Sequence, residues 1–113
     1  MKPTPDQMIK TILNLGQKMT LKEQEYGELS ERAVEAEAEY KRQLHVTRLR
    51  LKVEQAPATL IEKLAEGECV DLWLEMAKAD AVRKACKESL NVMYSKMDGY
   101  RSIFSYEKEC AAL

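Results

Sequence analysis

Lys41-Arg42-Gln43-Leu44-His45-Val46-Thr47-Arg48-Leu49-Arg50-Leu51-Lys52 carries five bases and no acid, and it runs into the break Gln55-Ala56-Pro57-Ala58. Proline disfavours helix at the residue before it, so the chain is expected to reverse there. Upstream, residues 20–39 hold seven acids and two bases; downstream, 62–75 hold five acids and one base, and 78–96 hold five bases and two acids. Doubling the chain near Pro57 sets each block against one of opposite sign. The short link at 55–59 permits only a reversal or one continuous rod. The rod would leave each apolar seam without a partner in its own chain. The charge order therefore predicts an all-α fold, an elongated antiparallel helical hairpin with coiled-coil-like packing. An exposed ion pair contributes about 0.2–1 kcal/mol, so these pairs select register and direction more than they supply stability.

A length of 113 residues bounds the chain to a single helical domain, 1–113. Charged residues make up 33%, aromatics only 6%, and glycine and proline are scarce, which is the bias of long helices. A two-helix hairpin buries less surface per residue than a globule of equal mass. A second copy (a dimer or higher homo-oligomer) or a protein partner is therefore expected. The net charge of −1 excludes a polycation that binds nucleic acid through overall charge. No uncharged run approaches the roughly 20 apolar residues of a membrane span. The start, Met1-Lys2-Pro3-Thr4-Pro5-Asp6, lacks the apolar segment of a secretion signal. The expected location is thus the cytoplasm, with no membrane contact.

The chain divides by its helix signals. Pro3 and Pro5 suit a helix entrance, and Met8, Ile9, Ile12, Leu13 and Leu15 form a stripe over 6–18 that ends near Gly16. Thr20-Leu21-Lys22-Glu23 fits a capping box. The first segment is then a separate short helix, or it runs straight on into a long helix over 20–54. In that long helix Tyr26, Leu29, Ala33, Ala36, Tyr40, Leu44, Thr47 and Leu51 recur at three and four residues. Thr59-Leu60-Ile61-Glu62 is a second capping box, and Gly67 a C-cap, which predicts a tip helix over 59–66. A last helix over 69–109 carries Cys86, Leu90, Met93, Met97, Tyr100 and Phe104 at spacing 4-3-4-3-4, with Cys69, Trp73, Met76 and Ala79 as its upstream continuation. The stripe crosses Gly99 in phase, so that helix is expected to continue through it.

Five features are weighed for function. The basic helix offers Lys41, Arg42, Arg48, Arg50 and Lys52 to phosphates, with Tyr40 to stack on a base; against this, the acids of 62–75 should lie beside it and answer its charge. Leu60, Ile61 and Leu64 cluster at the tip. They either pack on Leu49, Leu51, Val53 and Trp73 or form a knob for a partner. The terminal stretch Tyr94, Tyr100, Arg101, Ile103, Phe104 and Tyr106 has the residue types of interface hot spots; it either packs on the N-terminal helix or meets another chain. His45 stands alone, without the partner a general base needs or the companions a metal needs. Cys69, Cys86 and Cys110 lack the tight spacing of a metal site and read as reduced thiols on helix faces. No nucleophile–base pair, phosphate loop or ligand cluster is present. No enzyme activity, catalytic residue, cofactor or metal is therefore expected.

Glu37-Ala38-Glu39-Tyr40-Lys41, then Pro57-Ala58-Thr59-Leu60-Ile61 with Gly67, then the Ala/Lys-rich helix leading to Tyr100-Arg101-Ser102, give a layout that resembles small uncharacterised helical proteins encoded in phages and prophages of Gram-positive bacteria. The resemblance covers roughly residues 25–106. It implies a phage-encoded protein acting in the host cytoplasm, near DNA recombination and single-strand binding or as an inhibitor of host defence. It transfers no functional residue. The expected function is a non-enzymatic protein-interaction module, an adaptor or inhibitor. The alternative is an accessory of DNA recombination or replication that contacts single strands through 41–52.

Overall fold

A computed structural model describes residues 3–112. These residues form three helices and no strand: α1 (Pro5–Val53), α2 (Ile61–Glu68) and α3 (Val70–Ala112). The fold is all-α, as the composition predicts.

α1 begins at the entrance that Pro3 and Pro5 suggest, and Thr4 with Gln7 forms a capping box there. The Thr4 N–H donates to Gln7 Oε1 at 2.8 Å, and the Gln7 N–H donates to Thr4 Oγ1 at 3.2 Å. This satisfies two of the three donors left open at this helix start, since Pro5 at the first helical position has no N–H to satisfy. There is no separate helix over 6–18. Thr20 sits inside α1, where its hydroxyl donates to the Gly16 carbonyl at 3.1 Å and caps nothing. Gly16 and Gly27 keep ordinary helical backbone, since no glycine among the described residues has a positive φ. A glycine inside a helix costs about 1 kcal/mol, too little to divide so long a run.

α1 ends through a Schellman motif. Gln55 takes the left-handed conformation, φ 62°, which is usually left to glycine. The Gln55 N–H donates to the Lys52 carbonyl at 3.1 Å, and the Ala56 N–H reaches back to the Leu51 carbonyl at 3.0 Å. Ala56 packs on the cluster that contains Leu51, which supplies the apolar contact typical of this cap. Pro57 then blocks any continuation, and its carbonyl accepts from the Leu60 N–H at 2.9 Å.

The second expected capping box is also corrected. α2 starts at Ile61, with Leu60 as N-cap and no side-chain hydrogen bond to it. Gly67 lies within α2; the C-cap is Cys69, whose N–H donates to the Ala65 carbonyl. The Trp73 N–H in turn donates to the Cys69 carbonyl, so α3 resumes after only a slight interruption. α3 runs through Gly99 without a break.

The residues group into two compact units. One is Glu28–Lys84. Its α1 segment turns Leu29, Ala33, Ala36, Tyr40, Leu44, Thr47 and Leu51 inward. Ile61 and Ala65 of α2, then Cys69, Leu72, Met76 and Ala79, are the buried or half-buried positions opposite in sequence. Leu44, Leu51, Ile61, Ala65 and Cys69 form its core, with Tyr40 and Ala56 packed on them. Thr47 Oγ1 lies 3.6 Å from Cys69 Sγ, which gives the buried hydroxyl a partner. Of the stripe expected upstream in α3, Cys69, Met76 and Ala79 turn inward and Trp73 does not. Leu72 is half-buried and Trp73 is 48% exposed, because from Cys69 the inward step is three residues and then four.

The other unit takes the chain up to Gly27 together with the chain from Ala85 onward. Met8, Ile12, Leu15, Met19, Lys22 and Tyr26 are among its half-buried α1 positions; Cys86, Leu90, Met93, Met97, Tyr100 and Phe104 are buried or half-buried on α3. Leu90 is 1% exposed. The Cys86 thiol donates to the Lys22 carbonyl at 3.8 Å, the Tyr94 hydroxyl donates to Glu23 Oε1 at 2.9 Å, and the Lys87 ammonium sits 5.3 Å from the centre of the Tyr26 ring.

Two outcomes follow from this packing. Leu90→Ala should cost about 2–5 kcal/mol, the usual loss for a fully enclosed leucine, whereas Lys22→Ala should leave the urea midpoint nearly unmoved; equal effects would contradict a seam centred on Leu90. Gln55→Gly should raise the urea midpoint, with a gain in stability of up to about 1 kcal/mol, by relieving the left-handed conformation. A lower midpoint would mean that Gln55 contributes something its backbone angle does not reveal.

Candidate interaction surfaces

The basic run of α1 is engaged more than its sequence suggests. Lys41 pairs with Glu37 at 3.0 Å, and Arg42 pairs with Glu39, both along α1 itself. Arg48 reaches α2: its guanidinium lies 2.8 and 2.9 Å from the two carboxylate oxygens of Glu62. The shorter contact is an ion pair without an aligned N–H, since Arg48 Nε has no hydrogen-bond partner. Arg50 bridges Glu54, at 3.0 Å, and Glu68. Those two carboxylates hold the Arg50 guanidinium above its usual pKa, chiefly through the hydrogen bond to Glu68. Lys52 and His45 are exposed on the same helix. The blocks of opposite sign thus meet at Arg48–Glu62 and Arg50–Glu68, but Lys41 and Arg42 are answered locally at i−4 and i−3, where a helix already places neighbours.

The tip residues divide. Ile61 is 8% exposed and belongs to the core of its unit, out of a partner's reach. Leu60 and Leu64 face solvent, and of the residues expected to cover them, Leu49, Val53 and Trp73 are themselves exposed. One turn of helix separates Leu60 from Leu64, while Ile61 and Ala65 occupy the inward face.

In the unit formed by the chain ends, Tyr100 and Phe104 are half-buried with rings stacked nearly parallel, centroids 5.9 Å apart. Arg101 and Tyr106 are exposed. Phe104 and Arg101 line a cleft of about 850 Å³ with Pro5, Met8, Ile9 and Ile12 of α1. The N-terminal stripe and the aromatic stretch therefore meet at one surface, yet they leave it open: Ile9 remains 57% exposed. Farther along the same unit, Glu23 accepts the Tyr94 hydrogen bond and holds that phenol above its ordinary pKa.

A second cleft, of about 490 Å³, was not anticipated. It lies within Glu28–Lys84, between Ser30, Ala33 and Val34 of α1 and Trp73, Met76 and Ala77 of α3. Alanine on both sides leaves the space unfilled. Ser30 Oγ is shielded there without a hydrogen-bond partner. Arg83 and Lys84 both bind Asp80 at the margin, at 2.7 and 2.9 Å, and these hydrogen bonds, the one from Arg83 foremost, hold the Asp80 carboxyl below its usual pKa. The signal for this cleft was present in the alanines of the α1 stripe, which bury little area.

Cys69 and Cys86 are buried and Cys110 is exposed; all three are free thiols. Among the described residues, no group of three or more His, Cys, Asp or Glu side chains could hold a metal ion. No described helix is long and apolar enough to cross a membrane. No protein-family model matches the chain, and comparison with curated proteins and with solved structures gives no match.

Reversing Arg48 and Arg50 to Glu should lower the melting midpoint, because each would face a carboxylate across the turn. Adding Glu62→Arg and Glu68→Arg should restore part of the loss, and salt should narrow the difference. An unchanged midpoint in the first variant would show that these pairs carry no structural weight.

Proposed function

We propose that this protein is a non-enzymatic interaction module, an adaptor or inhibitor that receives part of another protein in the cleft between the start of α1 and the end of α3. The reading treats α1 as paired antiparallel with the downstream helices inside each unit, through a coiled-coil-like seam. Inward positions spaced alternately three and four residues apart support that treatment. The observation that carries the function is the apolar cleft with Ile9 exposed beside Phe104 and Arg101. Its size and lining suit a short amphipathic helix or peptide that inserts apolar side chains and sets a carboxylate beside Arg101. Action in the cytoplasm of a phage-infected host is the setting suggested by the resemblance at 37–41, 57–61 and 100–102. The alternative, single-stranded nucleic acid on 41–52, is disfavoured by the carboxylates already bound to Lys41, Arg42, Arg48 and Arg50.

The test compares the full-length chain with an Ile9→Asp/Arg101→Glu variant in co-purification from the native host. Both positions are exposed, so circular dichroism should not change. The wild type should retain a partner in high salt and the variant should lose it. Tight binding of a labelled oligonucleotide, with a steep salt dependence that Arg48→Glu abolishes, would favour the nucleic-acid reading instead.

A further inference from the structure

We propose that a second copy of this chain docks antiparallel on the outer face of α3 at Val70–Ala81, so that the protein is a two-fold dimer in solution. The face is separate from the end cleft, and the two readings stand or fall independently.

The starting observation is an apolar row that the seam does not use. Val70, Leu74, Ala77 and Ala81 are spaced 4-3-4 along α3, which places them in one stripe of the helix surface. Val70 is 54% exposed and Leu74 45%. Trp73, the only tryptophan in the chain, flanks the row at 48% exposure, and Val34 stands across the second cleft at 66%. Together these four side chains leave roughly 300–400 Å² of apolar surface in the open, the size at which the largest patch on a monomer is usually functional. A standard interface takes about 800 Å² from each partner, a little over half of it apolar. The patch therefore supplies most of the apolar part of one such interface.

The arrangement along the stripe points to a second copy. Its large residues (Val70, Trp73, Leu74) lie at one end and its small residues (Ala77, Ala81) at the other. Two identical helices placed antiparallel about an axis between residues 75 and 76 bring Val70 onto Ala81 of the second copy and Leu74 onto its Ala77. Large then meets small in every layer, and the alanines allow close approach. The same register sets Asp71 opposite Lys78 of the second copy, and by symmetry twice. Asp71 and Lys78 are both exposed and lie on the row beside the apolar stripe. A two-fold interface requires a surface complementary to itself, and this stretch meets that requirement in size and in charge. Lys84, the next position in the stripe, ends the apolar run.

Sedimentation equilibrium of the full-length chain should give twice the monomer mass of 13.0 kDa. Trp73 emission should shift to the blue as concentration rises through the dissociation constant. Leu74→Glu should yield a monomer with unchanged helicity. Asp71→Lys should weaken association at least tenfold, and Asp71→Lys/Lys78→Asp should restore it. A monomeric wild type at high micromolar concentration would overturn the proposal. So would a dimer that survives Leu74→Glu, a doubling of mass without a Trp73 shift, or a charge swap that rescues nothing.

Discussion

A long helix turns only one stripe of its surface inward, and that geometric limit governs each of the two units. Among the described residues the buried apolar set is consequently small: Leu44, Leu51, Ile61, Ala65, Cys69, Cys86, Leu90 and Met97. The remaining hydrophobic residues have no interior to enter. Val53, Leu21, Val34 and Tyr106 are exposed for this reason and need no functional account taken singly. What calls for explanation is clustering, as at Ile9 beside Phe104 or at Val70, Trp73 and Leu74.

The inward residues of the seam were largely legible in the sequence because a 4-3 repeat over many turns has few competing interpretations. Tyr26, Leu29, Ala33, Ala36, Tyr40, Leu44, Thr47 and Leu51 all turn inward, as do Cys86, Leu90, Met93, Met97, Tyr100 and Phe104. The misreading at Trp73 has a definite cause. Leu72-Trp73-Leu74 offers three consecutive apolar residues, so composition cannot fix the phase; only the three-residue step from Cys69 does. Helix ends were far less legible. Thr-x-x-Glu at 20–23 has the form of a cap, but inside a helix the threonine hydroxyl finds the carbonyl four residues back, as Thr20 does with Gly16. The functioning box, Thr4 with Gln7, uses glutamine and lies beside the prolines that mark the helix entrance. The turn rests on Gln55 in a left-handed conformation, which no propensity would assign to glutamine.

Charge was legible in the same uneven way. Opposed blocks correctly brought Arg48 to Glu62 and Arg50 to Glu68, close to the turn, where a short link leaves little freedom of register. Farther along α1 the blocks dissolve into local pairs, because Glu37 and Glu39 sit one turn before Lys41 and Arg42. A helix offers such pairs at no extra entropic cost of chain closure. Block charge is therefore a guide to direction near a reversal and a poor guide to contacts away from it. The candidate surfaces inherit this limit: the end cleft could be anticipated from its aromatic residues, while the cleft at Ser30, Val34 and Trp73 arises from what alanine fails to fill.

That failure bears on stability as well as on recognition. Where Ala33 and Ala77 line the cleft, little apolar area leaves the water, and the shielded Ser30 hydroxyl goes without a partner. Larger residues at either position would deepen the interior and cost nothing in helix propensity that a leucine could not recover. A chain that keeps small residues there, and keeps Trp73 and Leu74 on the outside, holds part of its apolar surface in reserve. Any body that covers the surface only in the folded state stabilises the fold by mass action, in proportion to the logarithm of its concentration. Covering that surface would couple to folding, because the cleft that alanine leaves unfilled lies beside it.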